Sequence, residues 1–468
     1  MRFGNGWSRR RFLAVSTAAA ARAAAGLKGL GQAQGGAAGT AAAQSANARE
    51  TAATMPPPGV ITGGIQPLME SMTARPLRYR PVAGEFVIRN GKEFFNRPIY
   101  GVSTPTQVGD FRVDAGDLPE FSLYLPGHGG NLKLGFIGAG CTGSKWAADA
   151  EEVIARYRPG RRIYEIRDAL LGKGMLRAEL LTAGEGSGLL LKVEASKVPD
   201  GTKLAWAFGG VSGKKGRRGG DIGCEVQPVS EFFQVREEEC ADNEFRFLPI
   251  VPRRNVQLVS KTATLVLGFP AGSQLSVVNF DAWSKAPALA ETPVAAAPAY
   301  PILTGAAEIQ AAPMYIDAIQ RPAEANEKDR PGTLASDESP EIFARRSAQV
   351  EAIARTLTLD TPDEYINTIG PALSIAADTI WDVNRECVMH GAVAWRTALP
   401  GWRGPYVLDA LGNHDRAVVN IRHWLKRQNV TPVATGDPAT GPWDANSQLT
   451  RKEKLLHSTA IFPTTTTT

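Results

Sequence analysis

A change of hydrophobic period partway along the chain constrains its fold more than any other feature. From about residue 76 to 283, short apolar runs separated by turn residues follow the two-residue repeat of half-buried strands; after residue 339, apolar side chains recur every three or four positions. Strands followed by helices predict a β-sandwich and then an α-helical part, rather than alternating βα units. Glu85-Phe86-Val87-Ile88-Arg89 and Glu93-Phe94-Phe95 flank Asn90-Gly91, a hairpin signal. Runs at 187–195 and 203–208 read as another pair, and those at 256–260, 262–269 and 274–278 as further strands. Between 284 and 338 the composition turns to alanine, proline and acid, which predicts a surface linker. Ser339-Pro340-Glu341 then opens a helix through about Thr356. Thr361-Pro362-Asp363-Glu364 is a capping box, followed by Ile366, Ile369, Leu373, Ala376 and Ile380 on one predicted helix face. A third helix is predicted from His414 to about Gln428. The predicted organisation is a signal and disordered tail over 1–48, a sandwich over 76–283, a linker over 284–338 and a partial helical domain over 339–468.

The 468 residues carry a formal charge of +5, but Arg2, Arg9, Arg10, Arg11, Arg22 and Lys28 stand in the first 48 residues with no acid. The rest is close to neutral. Lys214, Lys215, Arg217 and Arg218 form too short a run for a phosphate-neutralising surface, so nucleic-acid binding is not predicted. The apolar runs are also too short to span a bilayer, and no membrane anchor is predicted. Ser8-Arg9-Arg10-Arg11-Phe12-Leu13 followed by an alanine-rich stretch reads as a twin-arginine export signal, with a basic disordered tail as the alternative. Cleavage after Ala33 or Ala48 fits equally. The export machinery is the implied partner, and the periplasm or exterior the implied location. In such a compartment Cys224 and Cys240 are the nearest candidates for a bridge, although buried, unpaired thiols are the commoner outcome among Cys141, Cys224, Cys240 and Cys387.

Gly138-Ala139-Gly140-Cys141-Thr142-Gly143 follows a strand-like run and matches G-x-G-x-x-G, with 144–157 readable as a helix and Glu165 as a ribose-binding acid. Together with the signal, it resembles exported nicotinamide-dependent oxidoreductases and glycosidases. Two features weigh against a dinucleotide site: strand-like sequence precedes the glycines, and a strand pair rather than further βα units follows Glu165. The other reading is a glycine-rich turn between sandwich strands. The loop at 209–220 lacks the glycine and hydroxyl positions of a Walker motif. Neither a cofactor nor a metal is predicted, because His390, His414 and His423 lack H-x-x-x-H spacing and the cysteines lack C-x-x-C.

The densest polar and aromatic stretch holds His390, Trp395, Arg396, Trp402, Arg403, Asp409, His414 and Asp415. Sugars present flat C–H faces and rings of hydroxyls, so their sites pair indole surfaces with bidentate donors and carboxylates. Core packing of Trp395 and Trp402 with surface pairing of the charges is the competing reading. Thr361-Pro362-Asp363, His390-Gly391-Ala392-Val393-Ala394-Trp395 with Pro400-Gly401-Trp402-Arg403, and Gly412-Asn413-His414-Asp415-Arg416 resemble stretches of bacterial glycosidases with a six-hairpin (α/α)6 barrel. The likeness is nearest to an uncharacterised group in which a β-sandwich domain of unknown function precedes the barrel.

The resemblance implies hydrolysis of a glycosidic bond by two carboxylic groups in an oligo- or polysaccharide. It assigns Asp409 and Asp415 as candidate carboxylates, with Glu386 and Asp382 behind them, and His390, Trp395, Arg396, Trp402, Arg403 and His414 to substrate contact. It also implies twelve barrel helices, roughly 350 to 400 residues. Far fewer follow Asp360, and the chain ends in Phe462-Pro463 and five threonines, so a C-terminally truncated glycosidase lacking at least one essential carboxylate is expected. Two alternatives stay open: a non-catalytic carbohydrate-binding protein, and an oxidoreductase using Gly138 to Gly143.

Overall fold

A computed structural model describes residues 78–95, 97–100, 111–184, 186–215, 229–249, 253–287, 298–320, 339–390, 398–399 and 405–426. The export signal lies outside them. Two large antiparallel sheets are followed by helices, the predicted order. The first sheet runs β1 (Arg80–Val82), β2 (Glu85–Arg89), β8 (Glu152–Arg158), β9 (Arg161–Arg167), β10 (Met175–Thr182), β11 (Gly188–Ser196), β18 (Met314–Gln320), β15 (Thr264–Phe269), β14 (Arg254–Val259) and β13 (Glu244–Leu248). The second runs β16 (Gln274–Asn279), β17 (Pro301–Glu308), β12 (Lys203–Val211), β6 (His128–Ile137), β5 (Glu120–Tyr124), β4 (Arg112–Ala115) and β3 (Arg97–Tyr100), with β7 (Ser144–Trp146) also on β6.

Strand alternation sets the layers. Leu132, Leu134 and Phe136 of β6 and Leu204, Trp206 and Phe208 of β12 share one core with Leu176, Ala178 and Leu180 of β10 and Leu189 and Leu191 of β11. Each leucine or phenylalanine among them contributes about 1.5–3 kcal/mol by leaving water.

Several pairings differ from the sequence reading. Asn90-Gly91 does not turn a hairpin: β2 pairs with β1 through Ala83-Gly84, while Asn90 exchanges backbone and side-chain hydrogen bonds with Val153. Although consecutive, β11 and β12 lie in different sheets, β11 between β10 and β18 and β12 between β6 and β17. Residues 301–320, expected in the linker, are β17 and β18, interior strands of the two sheets. Packing overrides composition here. Gly305 of β17 has no Cβ, and one would stand 2.6 Å from the Trp206 indole. Pro301 opens the strand, where its missing N–H is tolerated.

The second sheet also carries a buried polar network. Buried His128 lies between Glu239 (Nδ1 to Oε2, 3.2 Å) and Asn131 (Nε2 to Oδ1, 3.0 Å), and Asn131 donates to Glu120 at 3.1 Å. Burial pushes the Glu239 carboxyl up, but His128 and Lys214 outweigh it and hold Glu239 below its ordinary value; Arg161 and Arg177 do the same for Glu179. Burial raises Glu120 instead, against Lys133 and Asn131. A depressed carboxylate contributes stability above its unfolded value, 4.5 for glutamate, and loses that contribution as pH falls through the folded value. Below about pH 4 a raised group such as Glu120 is protonated in both states and drops out, leaving the depressed groups to set the slope. Thermal melts should therefore show a midpoint that falls steadily below about pH 4; a midpoint rising between pH 4 and 2.5 would contradict these ion pairs.

The helical part begins with α1 (Ser339–Ala354), laid on the outer face of the first sheet, where Phe343 and Val350 pack with Leu181 and Leu190. Buried Arg346 fixes it there, donating to the Thr182 carbonyl and hydroxyl at 2.9 Å each. In α2 (Glu364–Thr379) the cap is Asp363, which accepts from the Tyr365 and Ile366 N–H groups, while the Thr361 hydroxyl donates to Asn367. The helix is where the spacing puts it, but the opposite side is inward. Ile366, Ile369 and Leu373 are about half exposed, whereas Thr368, Gly370, Ser374, Ile375 and Asp378 are buried. Small residues permit a close approach that the bulky stripe would prevent: Gly370 touches Leu359, and the β8–β9 turn at Gly160 meets Val350 and Ile375. A two-stranded ribbon, β19 (Trp381–Asp382) and β20 (Cys387–Val388), then leads to α3 (Pro405–Ala410) and α4 (His414–Leu425). Among the described residues no helix is long and apolar enough to cross a membrane.

Candidate functional site

The predicted stretch from residue 390 to 416 rises from the β19–β20 ribbon. His390 is exposed just beyond β20, and the chain returns at Ala398, which bridges Met389, with the Leu399 N–H donating to Val388 at 2.8 Å. Trp395, Arg396, Trp402 and Arg403 lie outside the described residues. A tight turn at Gly412, with φ +75°, reverses the chain from α3 into α4. That turn brings Asp409 and His414 together, Oδ1 to Nδ1 at 3.3 Å, on the surface. Asp415 is exposed in the first turn of α4 rather than at its cap, the position of Asn413, and its charge there complements the helix dipole. Of the two carboxylates behind them, Asp382 accepts the Arg385 N–H at 2.9 Å and closes the ribbon turn, while exposed Glu386 occupies its positive-φ position. Buried Asn420 ties α4 to the ribbon by accepting the Val388 N–H at 2.9 Å.

Beside this turn lies a cleft of about 240 Å³ lined by Ile353 and Thr356 of the α1 end, Ser374 and Asp378 of α2, and Leu411, Asn413 and Arg416. Arg416 donates to Asp378 at 2.7 Å and stands 5.3 Å from the Trp381 ring centre. The Ser374 hydroxyl is buried with no protein partner. Burial pulls the Arg346 guanidinium behind the cleft down to about 10, with Asp378 opposing. The cleft therefore offers a carboxylate, a guanidinium, a carboxamide and two hydroxyls between two aliphatic side chains. Asn413 and Arg416 flank His414 and Asp415 in the chain, so the predicted cluster supplies one wall.

Asp378 and Ser374 supply the other, and the sequence reading missed them. Their signal is a serine and an aspartate four apart in an apolar helix, on the side away from Ile369 and Leu373.

The glycine fingerprint makes a different structure. Gly138 to Gly143 closes the turn between β6 and β7, which pair antiparallel, with the Gly138 N–H donating to the Gly143 carbonyl at 2.9 Å. Residues expected as a helix form β7 and β8, and Glu165 lies in β9, antiparallel to β8. A dinucleotide cradle needs a helix start and a parallel crossover, so the oxidoreductase alternative loses its phosphate site. Cys240 is buried, and the candidate bridge to Cys224 falls outside the described residues. Lys214 of the short basic run pairs with Glu239.

Residues 125–337 match the model of a domain of unknown function (DUF4450). No curated protein matches the chain. Among solved structures, a bacterial glucoamylase complexed with acarbose is similar at 9% identity and TM-score 0.43, over 71% of this chain and 52% of that one. Another, described as "Putative kojibiose phosphorylase from human microbiome", is similar at 8% identity and TM-score 0.39, over 76% of this chain and 50% of that one. The chain spans about half the length of each.

Proposed function

We propose that the protein is an exported glycoside hydrolase acting on an oligo- or polysaccharide, with its sugar site at the α1–α2–α4 cleft and the neighbouring stretch from 390 to 416. The observation that carries this reading is the convergence of Asp378, Arg416, Asn413, Ser374 and Thr356 between Ile353 and Leu411. Paired donors and acceptors against an aliphatic wall suit vicinal hydroxyls on a C–H face. Hydrolysis needs one carboxylic acid to protonate the leaving oxygen and one carboxylate to attack or to activate water. Asp409 and Asp415 fill those roles in this reading, and His414, within reach of Asp409, is a proton-transfer partner. His390, Trp395, Arg396, Trp402 and Arg403 supply further sugar contacts, and the twin-arginine signal supports export.

The second reading is a non-catalytic carbohydrate-binding protein. It is favoured by the engagement of the cleft's own carboxylate, Asp378, with Arg416, which suits accepting hydrogen bonds more than moving protons.

The test is release of reducing ends from a panel of plant and bacterial glycans. The intact protein is expected to release sugar, and Asp409→Asn to lose about 100-fold or more of that rate. Absence of release from every glycan would overturn the hydrolase reading; binding without release would leave the second.

A further inference from the structure

On the outer face of the first sheet, β9, β10, β11 and β18 meet the first two turns of α1 around a cleft of about 330 Å³. Four cations line it, Arg158, Arg161, Arg177 and Lys192, against a single lining carboxylate, Glu179. Glu179 is shared among Arg161 at 2.8 Å, Arg177 at 3.0 Å and Lys192 at 3.7 Å. Two further carboxylates stand nearby: Glu194 takes Lys192 at 3.4 Å and Arg177 at 3.5 Å, and Glu351 takes Arg158 at 2.9 Å and Arg161 at 3.6 Å. Glu341 also acts on Tyr315, so the excess of positive charge is that of the cleft lining itself, not of the wider cluster.

Docking of α1 explains only half of the set. Arg161 donates to the Ser347 hydroxyl and carbonyl, and Arg158 reaches Glu351 on the same helix. Arg177 donates to Glu179 at 3.0 Å, Arg177 and Lys192 reach Glu194 more loosely, and the Lys192 ammonium lies 5.3 Å from the Phe343 ring centre. Arg161 is 5% exposed, and its Nε–H is buried without a protein partner. Tyr315 and Phe343, with ring centres 5.9 Å apart, give the cleft an aromatic wall.

We propose that this cleft binds a small organic anion, an acid-bearing sugar or a molecule of similar size, its oxyanion held by Arg177 and Lys192 and its body against Tyr315 and Phe343. Convergent cations hold an oxyanion by charge-assisted hydrogen bonds, and the volume suits one ring. The site lies on the sandwich and stands whether or not the protein hydrolyses a glycan.

Calorimetric titration of the full chain with glucuronate, glucose 6-phosphate, inorganic phosphate and glucose tests the assignment and separates carboxylate from phosphate ester. Saturable binding of one or both sugar acids is expected, with glucose bound at least about tenfold more weakly. Arg177→Gln with Lys192→Gln should weaken the sugar acid about tenfold or more in a protein that still unfolds cooperatively, at a somewhat lower melting temperature because Glu179 loses two of its cations. If that pair fails to fold, Lys192→Met alone carries the same expectation. Equal response to glucuronate, glucose 6-phosphate and glucose would overturn the site, as would binding unchanged in a folded variant. Inorganic phosphate bound as tightly as either sugar acid would make it an adventitious ion only and overturn the proposal.

Discussion

Gly160→Ala is expected to loosen the helices from the sandwich and destabilise the protein by about 2–5 kcal/mol, the sum of two effects. Gly160 holds φ at +77°, which costs an L-residue about 1–2 kcal/mol. Its added methyl would also stand 2.4 Å from a Val350 methyl carbon and 3.3 Å from Ile375, both buried. Those side chains join α1 and α2 to the β8–β9 turn, so overpacking there adds about 1–3 kcal/mol. Gly201→Ala is the control: φ is +80° with nothing within 4 Å of the new carbon, so only the backbone cost applies. Urea unfolding of both variants measures the difference. Equal midpoints would mean that the helices do not rest on this turn.

Asp378→Ala is expected to cost about 3–5 kcal/mol, because it withdraws the counter-charge from the Arg346 guanidinium, already removed from water. Arg346 is 2% exposed and donates only to uncharged oxygens among its described bonds, with Asp378 opposing the pull of burial. Arg416 loses its 2.7 Å acceptor in the same variant. A double-mutant cycle with Arg416→Ala separates the two, and a coupling above about 1 kcal/mol is expected for a half-buried, hydrogen-bonded pair. Asp378→Asn keeps an acceptor and should recover part of the stability. A loss below about 1 kcal/mol for Asp378→Ala would show that the carboxylate is not what steadies Arg346.

Strand content was legible because alternation is a local property, and 254–259, 264–269 and 274–279 lie almost where the residues place them. Partnership was not, because the choice between sheets is made by the whole core. Strand β12 leaves β11 so that Trp206 can stack on Phe269 across the layers, ring centres 5.3 Å apart. Strand β17 was hidden by its alanines, glycine and proline, and the glycine, Gly305, is what gives Trp206 its room. The helix starts near Ser339 and Thr361–Glu364 were visible in their composition, although Asp363 rather than Thr361 supplies the second cap. The face of α2 was not, since contact through Gly160 and Gly370 depends on chain segments far apart in sequence. At the candidate site the same division holds. Asn413 and Arg416 stand in a stretch whose composition drew attention, whereas Ser374 and Asp378 sit in a helix read for its leucines and isoleucines.

The central claim, that the cleft at Asp378 and Arg416 receives a sugar, is tested most directly by titrating neutral oligosaccharides into the intact protein. Wild-type protein should give saturable heat of binding with at least one of them, and Arg416→Ala should weaken it about tenfold or more through loss of a charge-assisted donor. No binding by any oligosaccharide, or binding indifferent to Arg416→Ala in a folded variant, would contradict the account.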